Sequence, residues 1–383
     1  MTVRLRGLTW DHPRAVRPLA AAERILKRLH PSVELEWEVQ PLSGFESRSI
    51  EEAARGYDLL IFDHPHVGEA RAHAALTPLD EVLAAASLAD ADFMGPSLAS
   101  YRWEGSVWGL PLDAACQVSC ARPDLLGSLG VQRPPLRWSE VIELGERARS
   151  RGLHLCCGLG GVHALMCLLT LCANQGAPLV EEPRRSIMDR GAARRSLEAL
   201  AALASLCPPE ALDWSSIDVQ EAMCARNDLI FCPLVFGFAS YSSIRRAVRL
   251  EYGPLPGLDG QTGSTLGGAG IGISAHSPHA EEALAIAVTL IGEALQIDLI
   301  PSEEGQPGRR EAWYVHEVDE RAGGFYSGTR ATLERAWIRP RFNGYMSFQR
   351  AGGPVVEHYL RGRTDADDAL DQLEREWRMA LAQ

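Results

Sequence analysis

The segment "YDLLIFDHPHVG", residues 57–68, begins as an apolar run and ends in one carboxylate and two imidazoles. A short run that is apolar on both faces is typical of a parallel strand covered by helices on both sides. In open α/β sheets, ligands bind beyond the carboxyl ends of the strands. The segment therefore predicts a buried strand whose polar end, Asp63, His64 and His66, lies at a ligand-binding crevice.

Upstream of this segment the chain alternates strand and helix. The stretch "VRLRGLTW" is typical of a strand, and "RAVRPLAAAERILKRLH" carries its apolar residues at helical spacing. "VELEWEVQ" then alternates apolar and polar residues, as a half-buried strand does. Ser49 and Gly56 mark the start and end of a short helix before the buried strand. The order predicts a βαβαβ unit, which is the beginning of an α/β fold.

The first predicted strand ends much like the third. "TWDHP" at residues 9–13 is similar to "FDHPH" at residues 62–66. Because parallel strands end at the same edge of a sheet, we expect Trp10, Asp11 and His12 to join the polar group of the third strand. In the alternative interpretation, the prolines simply end the strands and the polar residues face water.

Size and charge limit the classes of partner. With 383 residues and 46% hydrophobic content, the chain is long enough for two lobes with substantial cores. Its 38 basic and 50 acidic residues give a net charge of -12, without a Lys/Arg block. Nucleic acid and anionic membranes are therefore poor partners, whereas a small neutral or cationic solute fits. No apolar run approaches the roughly 20 residues of a membrane helix, so we expect no transmembrane segment.

The nine cysteines and the N-terminus bear on the compartment. The number is odd and includes the adjacent pair Cys156 and Cys157, which favours buried free thiols in a reducing interior over a disulfide framework. No CxxC spacing indicates a metal site. The N-terminal "MTVRLRGLTWDHP" lacks the apolar core of an export signal, so we expect that a leader was removed or that the protein stays inside the cell.

Several segments, taken in order, carry a family resemblance. They are "YDLLIFD", "LTPLDEVL", "VWGLPLDA", "GSTLGGAGIGISAHSPHAEEALAIAVTLI" and "EEGQPGRREAW". Together they resemble the family 1 extracellular solute-binding proteins of ABC importers, in the carbohydrate-type branch, over nearly the whole chain. This resemblance implies a maltose-binding-protein-like α/β architecture, with two discontinuous lobes joined by a hinge of crossing segments.

The resemblance also implies lobe boundaries, partners and compartment. The N-terminal lobe would comprise residues 1–111 and 244–295, and the C-terminal lobe residues 112–243 and 296–383. The crossings would fall near 110–115, 236–243 and 294–300. The protein would be a periplasmic monomer without cofactor or catalytic activity, and it would deliver a small carbohydrate, polyol or related polar solute to permease and ATPase subunits.

Burial of a polyol requires polar side chains for its hydroxyls and aromatic faces for its C–H surfaces. Gly267, Gly268 and Ala269 would let a loop come close to the ligand or the hinge, and the free backbone N–H groups near Gly160 and Gly161 would receive a ligand oxygen. "GGAGIG" lacks the Lys-Ser/Thr of a phosphate-binding loop. The aromatic candidates at the predicted cleft are Trp10, Phe236, Trp313 and Tyr345. The polar candidates are Asp11, His12, Asp63, His64, His66, Asp113, Gln117, Glu304, Gln306 and Arg339.

An enzyme is the alternative hypothesis. His12, Asp63, His64 and His66 would form a set of metal ligands for a zinc-dependent hydrolase if the two strand ends converge. Paired carboxylates such as Asp63 and Asp113 would suit a glycosidase. The second hypothesis is therefore a cytoplasmic carbohydrate-active or metal-dependent enzyme, or a sensor, on the same fold.

Overall fold

The N-terminal segment folds as the predicted βαβαβ unit. A computed structural model describes residues 2–180, 186–258 and 263–383. Strand β1 pairs in parallel with β2 and with β3, and all four residues of β3 are buried, as its apolar run predicts. The elements are β1 (Val3–Trp10), α1 (Pro13–Leu29), β2 (Val33–Gln40), α2 (Leu42–Ser47), α3 (Ile50–Gly56) and β3 (Leu59–Phe62).

The middle of the chain contains a long strand that connects the two halves of the main sheet. It is β6, which is 12 residues long and buried along nearly its whole length. The elements here are α4 (Val67–Ala72), α5 (Asp80–Ala85), α6 (Ser97–Ser100), β4 (Arg102–Trp103), β5 (Ser106–Val107), β6 (Leu110–Ala121), α7 (Pro123–Ser128), α8 (Trp138–Arg149), β7 (His154–Leu155), α9 (Val162–Asn174), α10 (Arg190–Ala204), α11 (Ser216–Ala225), β8 (Leu229–Phe236) and β9 (Glu251–Gly253).

The remaining chain returns to the first sheet and then ends in helices. Strand β10 pairs antiparallel with β3, whereas the last two helices pack on each other and on α9 or α10. The elements are β10 (Leu266–Ile273), α12 (Ala280–Leu290), α13 (Ile300–Ser302), α14 (His316–Arg321), α15 (Phe325–Leu333), α16 (Tyr345–Leu360) and α17 (Ala366–Leu381).

Strand β6 joins the two halves of the molecule. The strand order is β2-β1-β3-β10-β6-β8-β7, and β9 also pairs with β6. Residues 110–116 of β6 pair with β10, whereas residues 117–121 pair with β8 and β9. One continuous strand therefore passes from the first lobe into the second.

The pairing refines the predicted lobe boundaries. The predicted range 244–295 assigns β9 to the N-terminal lobe, but β9 pairs with Ser119–Ala121 in the half of the sheet that contains β8. Further on, Pro307 bridges to Asp113, and the Gly308 N–H donates to the Leu112 carbonyl. We therefore propose that the second crossing lies between β9 and β10 and that the third lies near Pro307.

The helices of the described part of the chain differ from membrane-spanning helices in length or apolar content. No single helix there is long and apolar enough to cross a membrane. Helix α12 and the helical segment Leu295–Ser302 reach that length and composition only as a pair bent by 54°.

Candidate ligand-binding site

A cavity lies where the two halves of the sheet meet. Its empty volume is about 660 Å³, which includes the part open to solvent. Both lobes contribute to its wall, because strand ends and α2 line one side while α9 and α11 line the other. The lining residues are Trp10, Arg14, Leu42, Phe45, Asp63, Asp113, Ala115, Val162, His163, Met166, Ser216, Phe236, Phe238, Gly267, Gly268, Ala269, Arg339 and Gln349.

Strands β6 and β10 contribute the small residues of the cavity wall. Their register shifts between Ala269 and Gly270, as in a β-bulge. Gly268 has a φ of +104°, and a Cβ at this position would lie 2.6 Å from the Asp113 carbonyl oxygen. Only glycine suits both that conformation and that contact. The bulge therefore lets the two strands approach each other at the edge of the cavity.

A buried ion pair joins α1 to β6. Arg14, in the first turn of α1, donates from Nε to Asp113 Oδ2 over 2.7 Å and from Nη2 to Oδ1. Its Nη1 donates to the Gly237 carbonyl, and its guanidinium lies 4.6 Å from the centre of the Phe238 ring. Burial raises the pKa of Asp113, and the neighbouring Arg14 opposes that effect. The two-point contact favours the ionised carboxylate.

A second buried ion pair joins the end of β3 to a distant part of the chain. Arg339 Nη2 lies 2.7 Å and 2.5 Å from the two carboxylate oxygens of Asp63. Its Nη1 donates to Gln349 Oε1, and its Nε donates to the Leu266 carbonyl. Burial by itself would raise the pKa of Asp63, but Arg339 and the hydrogen bond with His64 hold that pKa well below its usual range.

Aromatic rings form the wall beside the first pair. The Trp10 ring stacks on His12 at 5.5 Å between centroids and lies 5.6 Å from Phe45 and 5.9 Å from Phe238. His12 accepts the Arg14 N–H through Nδ1 and so caps α1. Burial and the nearby Arg14 lower the pKa of His12 to about 3, so the imidazole is neutral at neutral pH.

Helices α9 and α11 form the opposite wall. Val162, His163 and Met166 stand on one side of the first turns of α9, because residues three and four apart share a helix face. His163 Nδ1 lies 3.3 Å from the Ser216 hydroxyl. Burial lowers the pKa of His163 to about 4. This wall is therefore largely apolar and carries no charge at neutral pH.

The structure brings seven of the predicted site residues to the cavity. They are Trp10, Asp63, Asp113, Phe236, Gly267, Gly268 and Arg339. Their meeting agrees with the expectation that the carboxyl ends of β1 and β3 converge.

The other residues of the two strand ends lie outside the cavity lining. His12 is buried behind Trp10, with Nε2 3.3 Å from the Tyr241 hydroxyl. His64 is buried with Nδ1 3.1 Å from Asp63, and burial lowers its pKa to about 4. His66 lies 3.4 Å from Glu69, and Asp11 is exposed.

Three predicted side chains from later segments hold the fold together instead. Gln306 accepts from the Ala239 N–H and donates to the Ala114 carbonyl, and Glu304 pairs with Arg17. Gln117 is buried with its Nε2 3.7 Å from Cys167 Sγ. Each of them connects protein elements and does not line the cavity.

Two predicted aromatic residues belong to the hydrophobic core. The Trp313 indole is buried and donates to the Pro307 carbonyl over 2.8 Å. Tyr345 is fully buried beside Phe348 and Trp377. Large aromatic side chains bury the most apolar area in core positions, which explains their place here.

The two glycines before α9 also lie outside the cavity lining. A Cβ on Gly160 would lie 2.7 Å from the backbone of Asp213. The Gly161 N–H donates to Glu357 on α16 over 3.2 Å. Both glycines therefore serve the packing of the loop before α9.

The sequence did not indicate most of the remaining lining residues. Arg14 directly follows the "WDHP" pattern and could have been included on that basis. Phe238 lies two residues after Phe236, at the spacing that places side chains on one face of an extended segment. The residues not predicted are Arg14, Leu42, Phe45, Ala115, Val162, His163, Met166, Ser216, Phe238 and Gln349.

The four residues of the proposed metal set, His12, Asp63, His64 and His66, do not meet at one point in the structure. Within residues 2–180, 186–258 and 263–383, no group of three or more His, Cys, Asp or Glu side chains is arranged to hold a metal ion. His12 contacts Tyr241 and His66 contacts Glu69, so the two strand ends do not present a common set of ligands.

Comparisons with known proteins identify the fold. No protein-family model matches the chain, and no curated protein matches its sequence. Among solved structures, maltose-bound MalE3 of T. maritima is 18% identical, with a TM-score of 0.85 over 99% of this chain and all of that one. An ABC transporter solute-binding protein from Agrobacterium radiobacter K84 in complex with ribitol is 19% identical, with a TM-score of 0.84 over 98% of each chain.

A third structure agrees with the first two. It is an ABC transporter solute-binding protein from Thermotoga lettingae TMO bound with α-D-tagatose, 15% identical, with a TM-score of 0.86 over 99% of this chain and all of that one. The chain therefore has the two-lobe α/β fold of periplasmic binding proteins, and the predicted fold class is confirmed.

Proposed function

We propose that the chain is the substrate-binding component of an ABC importer and closes on a small carbohydrate, polyol or related polar solute. The observation that carries this proposal is the cavity between the lobes, which receives side chains from both of them. A ligand that contacts both lobes at once stabilises the closed form over the open form. Such closure is the signal by which a binding protein would present its solute to a permease.

The chemistry of the cavity supports a carbohydrate or polyol. Trp10, Phe236 and Phe238 provide aromatic faces for the C–H surfaces of a polyol. Ser216, His163 and Gln349 are polar groups suited to hydroxyls. Three neighbours of the same fold are in complex with maltose, ribitol and tagatose.

The two aspartates of the cavity, Asp63 and Asp113, argue against the enzyme hypothesis. A general acid or base must exchange a proton with the substrate near the working pH. Asp63 and Asp113 are each held by a guanidinium at two oxygens, so neither is available for that exchange. We therefore favour a binding protein without catalytic activity, cofactor or metal.

The partners and compartment follow from this function. We propose that the protein is a monomer in the periplasm and that it works with permease and ATPase subunits. The nine cysteines are free, and burial raises the pKa of Cys116 and Cys172 to about 12. Buried thiols of this kind are weak nucleophiles, which would let them persist unpaired outside the cytoplasm.

Thermal unfolding in the presence of sugars and polyols tests the proposal. A ligand that binds only the native state raises the melting temperature in a concentration-dependent way. We expect at least one member of a panel of neutral monosaccharides, disaccharides and polyols to do so, and isothermal titration to give one site per chain. Absence of stabilisation across the panel, together with turnover of a glycoside, would favour the enzyme.

A pair of variants ties binding to the cavity. Phe45→Ala removes an aromatic side chain from the cavity wall, and we expect it to weaken the active ligand at least about tenfold. Tyr314→Ala is the matched control, because Tyr314 is 53% exposed and lies outside the cavity lining. Equal affinity in the two variants would place the binding site elsewhere.

A further inference from the structure

Each charged group of the cavity is paired with a protein group of opposite charge. Arg14 directs two of its nitrogens to Asp113 and the third to the Gly237 carbonyl. Arg339 uses its three nitrogens on Asp63, on Gln349 and on the Leu266 carbonyl. Each guanidinium is thus neutralised by its own carboxylate.

The pairing of both lining arginines with aspartates limits the charge that a ligand of this cavity can carry. Recognition of a carboxylate or phosphate relies on a guanidinium or ammonium whose donors point at the ligand. Both lining arginines form ion pairs with aspartates, and the lining imidazole of His163 is neutral at neutral pH. A sugar acid or sugar phosphate would therefore meet no uncompensated positive charge among the described lining residues, whereas an uncharged ligand meets a neutral site.

The rest of the wall is more apolar than a fully hydroxylated sugar requires. Leu42 and Phe45, three residues apart on α2, face the cavity from the first lobe. Val162 and Met166, four residues apart on α9, face it from the second lobe. A hydroxyl buried against these side chains would lose its hydrogen bonds to water without gaining a partner.

Few polar groups of the cavity lie outside the ion pairs, and some of these already contact other protein groups. Ser216 contacts His163, and Gln349 accepts from Arg339 through Oε1. A hexose that exposes hydroxyls in every direction would leave some of them against the apolar wall. A ligand with a methyl or deoxy edge would instead place that edge on Val162 and Met166.

On the proposed function as a sugar-binding protein, we propose that the cavity selects uncharged deoxy or methyl-bearing sugars over their fully hydroxylated and anionic counterparts. The apolar wall of Leu42, Phe45, Val162 and Met166 receives the methyl or deoxy edge. The polar groups Ser216, His163 and Gln349 receive the hydroxyls on the other edge.

Titration calorimetry with matched sugar pairs tests the selectivity. Suitable pairs are D-fucose with D-galactose, L-rhamnose with L-mannose, and a methyl glucoside with D-glucose, with galacturonate as the anionic probe. We expect the deoxy or methylated member of at least one pair to bind about tenfold or more tightly than its partner, and galacturonate not to bind. Tighter or equal binding of the hydroxylated members, or binding of galacturonate, would overturn the selectivity and leave the proposed function intact. Absence of binding by any sugar or polyol would overturn both.

A variant pair assigns the selectivity to the wall. Val162→Thr adds a hydroxyl at nearly constant shape, and we expect it to reduce the preference for the deoxy member several-fold. Val82→Thr is the matched control, because Val82 is also half-buried and helical but lies outside the cavity lining. An unchanged preference in Val162→Thr, with the melting temperature of both variants near that of the native protein, would contradict the assigned wall.

Discussion

The ends of β1 and β3 share the pattern Asp-His-Pro but use it differently. At the end of β1 the aspartate, Asp11, is exposed, and the preceding Trp10 lines the cavity. At the end of β3 the aspartate, Asp63, lines the cavity and is paired with Arg339. Two similar sequence motifs on adjacent parallel strands therefore present different residues to the same cavity.

Backbone geometry and available partners explain the difference. The Asp11 N–H still donates to the Gln40 carbonyl, so extended pairing with β2 continues one residue beyond β1 before His12 caps α1. After β3 the chain enters a 3₁₀ turn at His64–His66, and Asp63 meets an arginine 276 positions away in sequence. The local motif gathers polar groups at the cavity, but a distant partner decides which of them is buried there.

Both strand ends contain a buried neutral histidine. The free energy of unfolding should therefore fall as the pH is lowered. The pKa of His12 is lowered to about 3 and that of His64 to about 4, and His163 in the cavity is lowered to about 4. Below about pH 6.5 the unfolded chain binds protons that the native protein does not, so stability falls as the pH falls. Urea unfolding at pH 7 and pH 5 should show a loss of about 2 kcal/mol for each of these histidines.

The histidines and the ion pairs change the free energy of unfolding over different ranges of pH. The lowered pKa of Asp63 contributes stability that is lost only below the ordinary aspartate range, at a more acidic pH than the histidine effect. His12→Asn should reduce the slope of the free energy of unfolding against pH, between pH 7 and pH 5, by the equivalent of about one proton. The matched control substitution is His316→Asn, at an exposed histidine. A flat profile over this range would show that the buried histidines are charged in the native protein.

Removal of the carboxylate at the β3 end should be the most damaging single substitution at the two motifs. Asp63→Asn leaves Arg339, which is 3% exposed, without its counter-charge in the interior. Loss of one partner of a buried ion pair typically costs about 3–5 kcal/mol. We expect a loss of this size in the free energy of unfolding, measured by urea denaturation at neutral pH.

A double variant distinguishes an uncompensated charge from lost packing. Asp63→Leu with Arg339→Met replaces the whole pair by apolar side chains, which often costs far less than breaking it. We expect the double variant to be more stable than Asp63→Asn. If it were less stable than that single variant, the hydrogen bonds of Arg339 to Gln349 and Leu266 would outweigh the charge effect.

The fold was largely predictable because its signals are local. The apolar run that forms β3 and the helical spacing in α1 are visible in a few consecutive residues. The sequence could not show that β9 would pair with the far half of β6, because strand pairing depends on contacts distant in sequence.

The cavity was less predictable than the fold for a related reason. Trp10 and Asp63 were identified from strand ends, which is a local signal. Val162 and Met166 stand in a helix that is buried on every side, so its periodicity does not mark the face toward the cavity. Trp313 and Tyr345 looked like stacking platforms, yet an aromatic residue in sequence does not reveal whether it packs in the core or lines a cleft.

The histidine of the β1 end has a second role that a smaller experiment can isolate. His12 accepts the Arg14 N–H and thereby caps α1, whereas the structure shows no such side-chain cap for the short helix that begins at His64. Asparagine is a good helix cap and alanine is a poor one, with a typical difference of about 1 kcal/mol. We expect His12→Asn to be more stable than His12→Ala by about this amount in urea unfolding. Equal stability of the two variants would show that the cap made by His12 does not contribute to stability.

The smallest effect should come from the aspartate that the sequence motif suggested most directly. Asp11 is exposed and lies outside the cavity lining, although it occupies the same place in its motif as Asp63. Exposed substitutions away from special features usually change stability by less than about 0.5 kcal/mol. We expect Asp11→Asn to unfold within that margin of the native protein and to bind the active sugar with unchanged affinity. A loss comparable to that of Asp63→Asn would mean that the two strand ends are equivalent in solution, and the different partners described for Asp11 and Asp63 would then not account for the cavity.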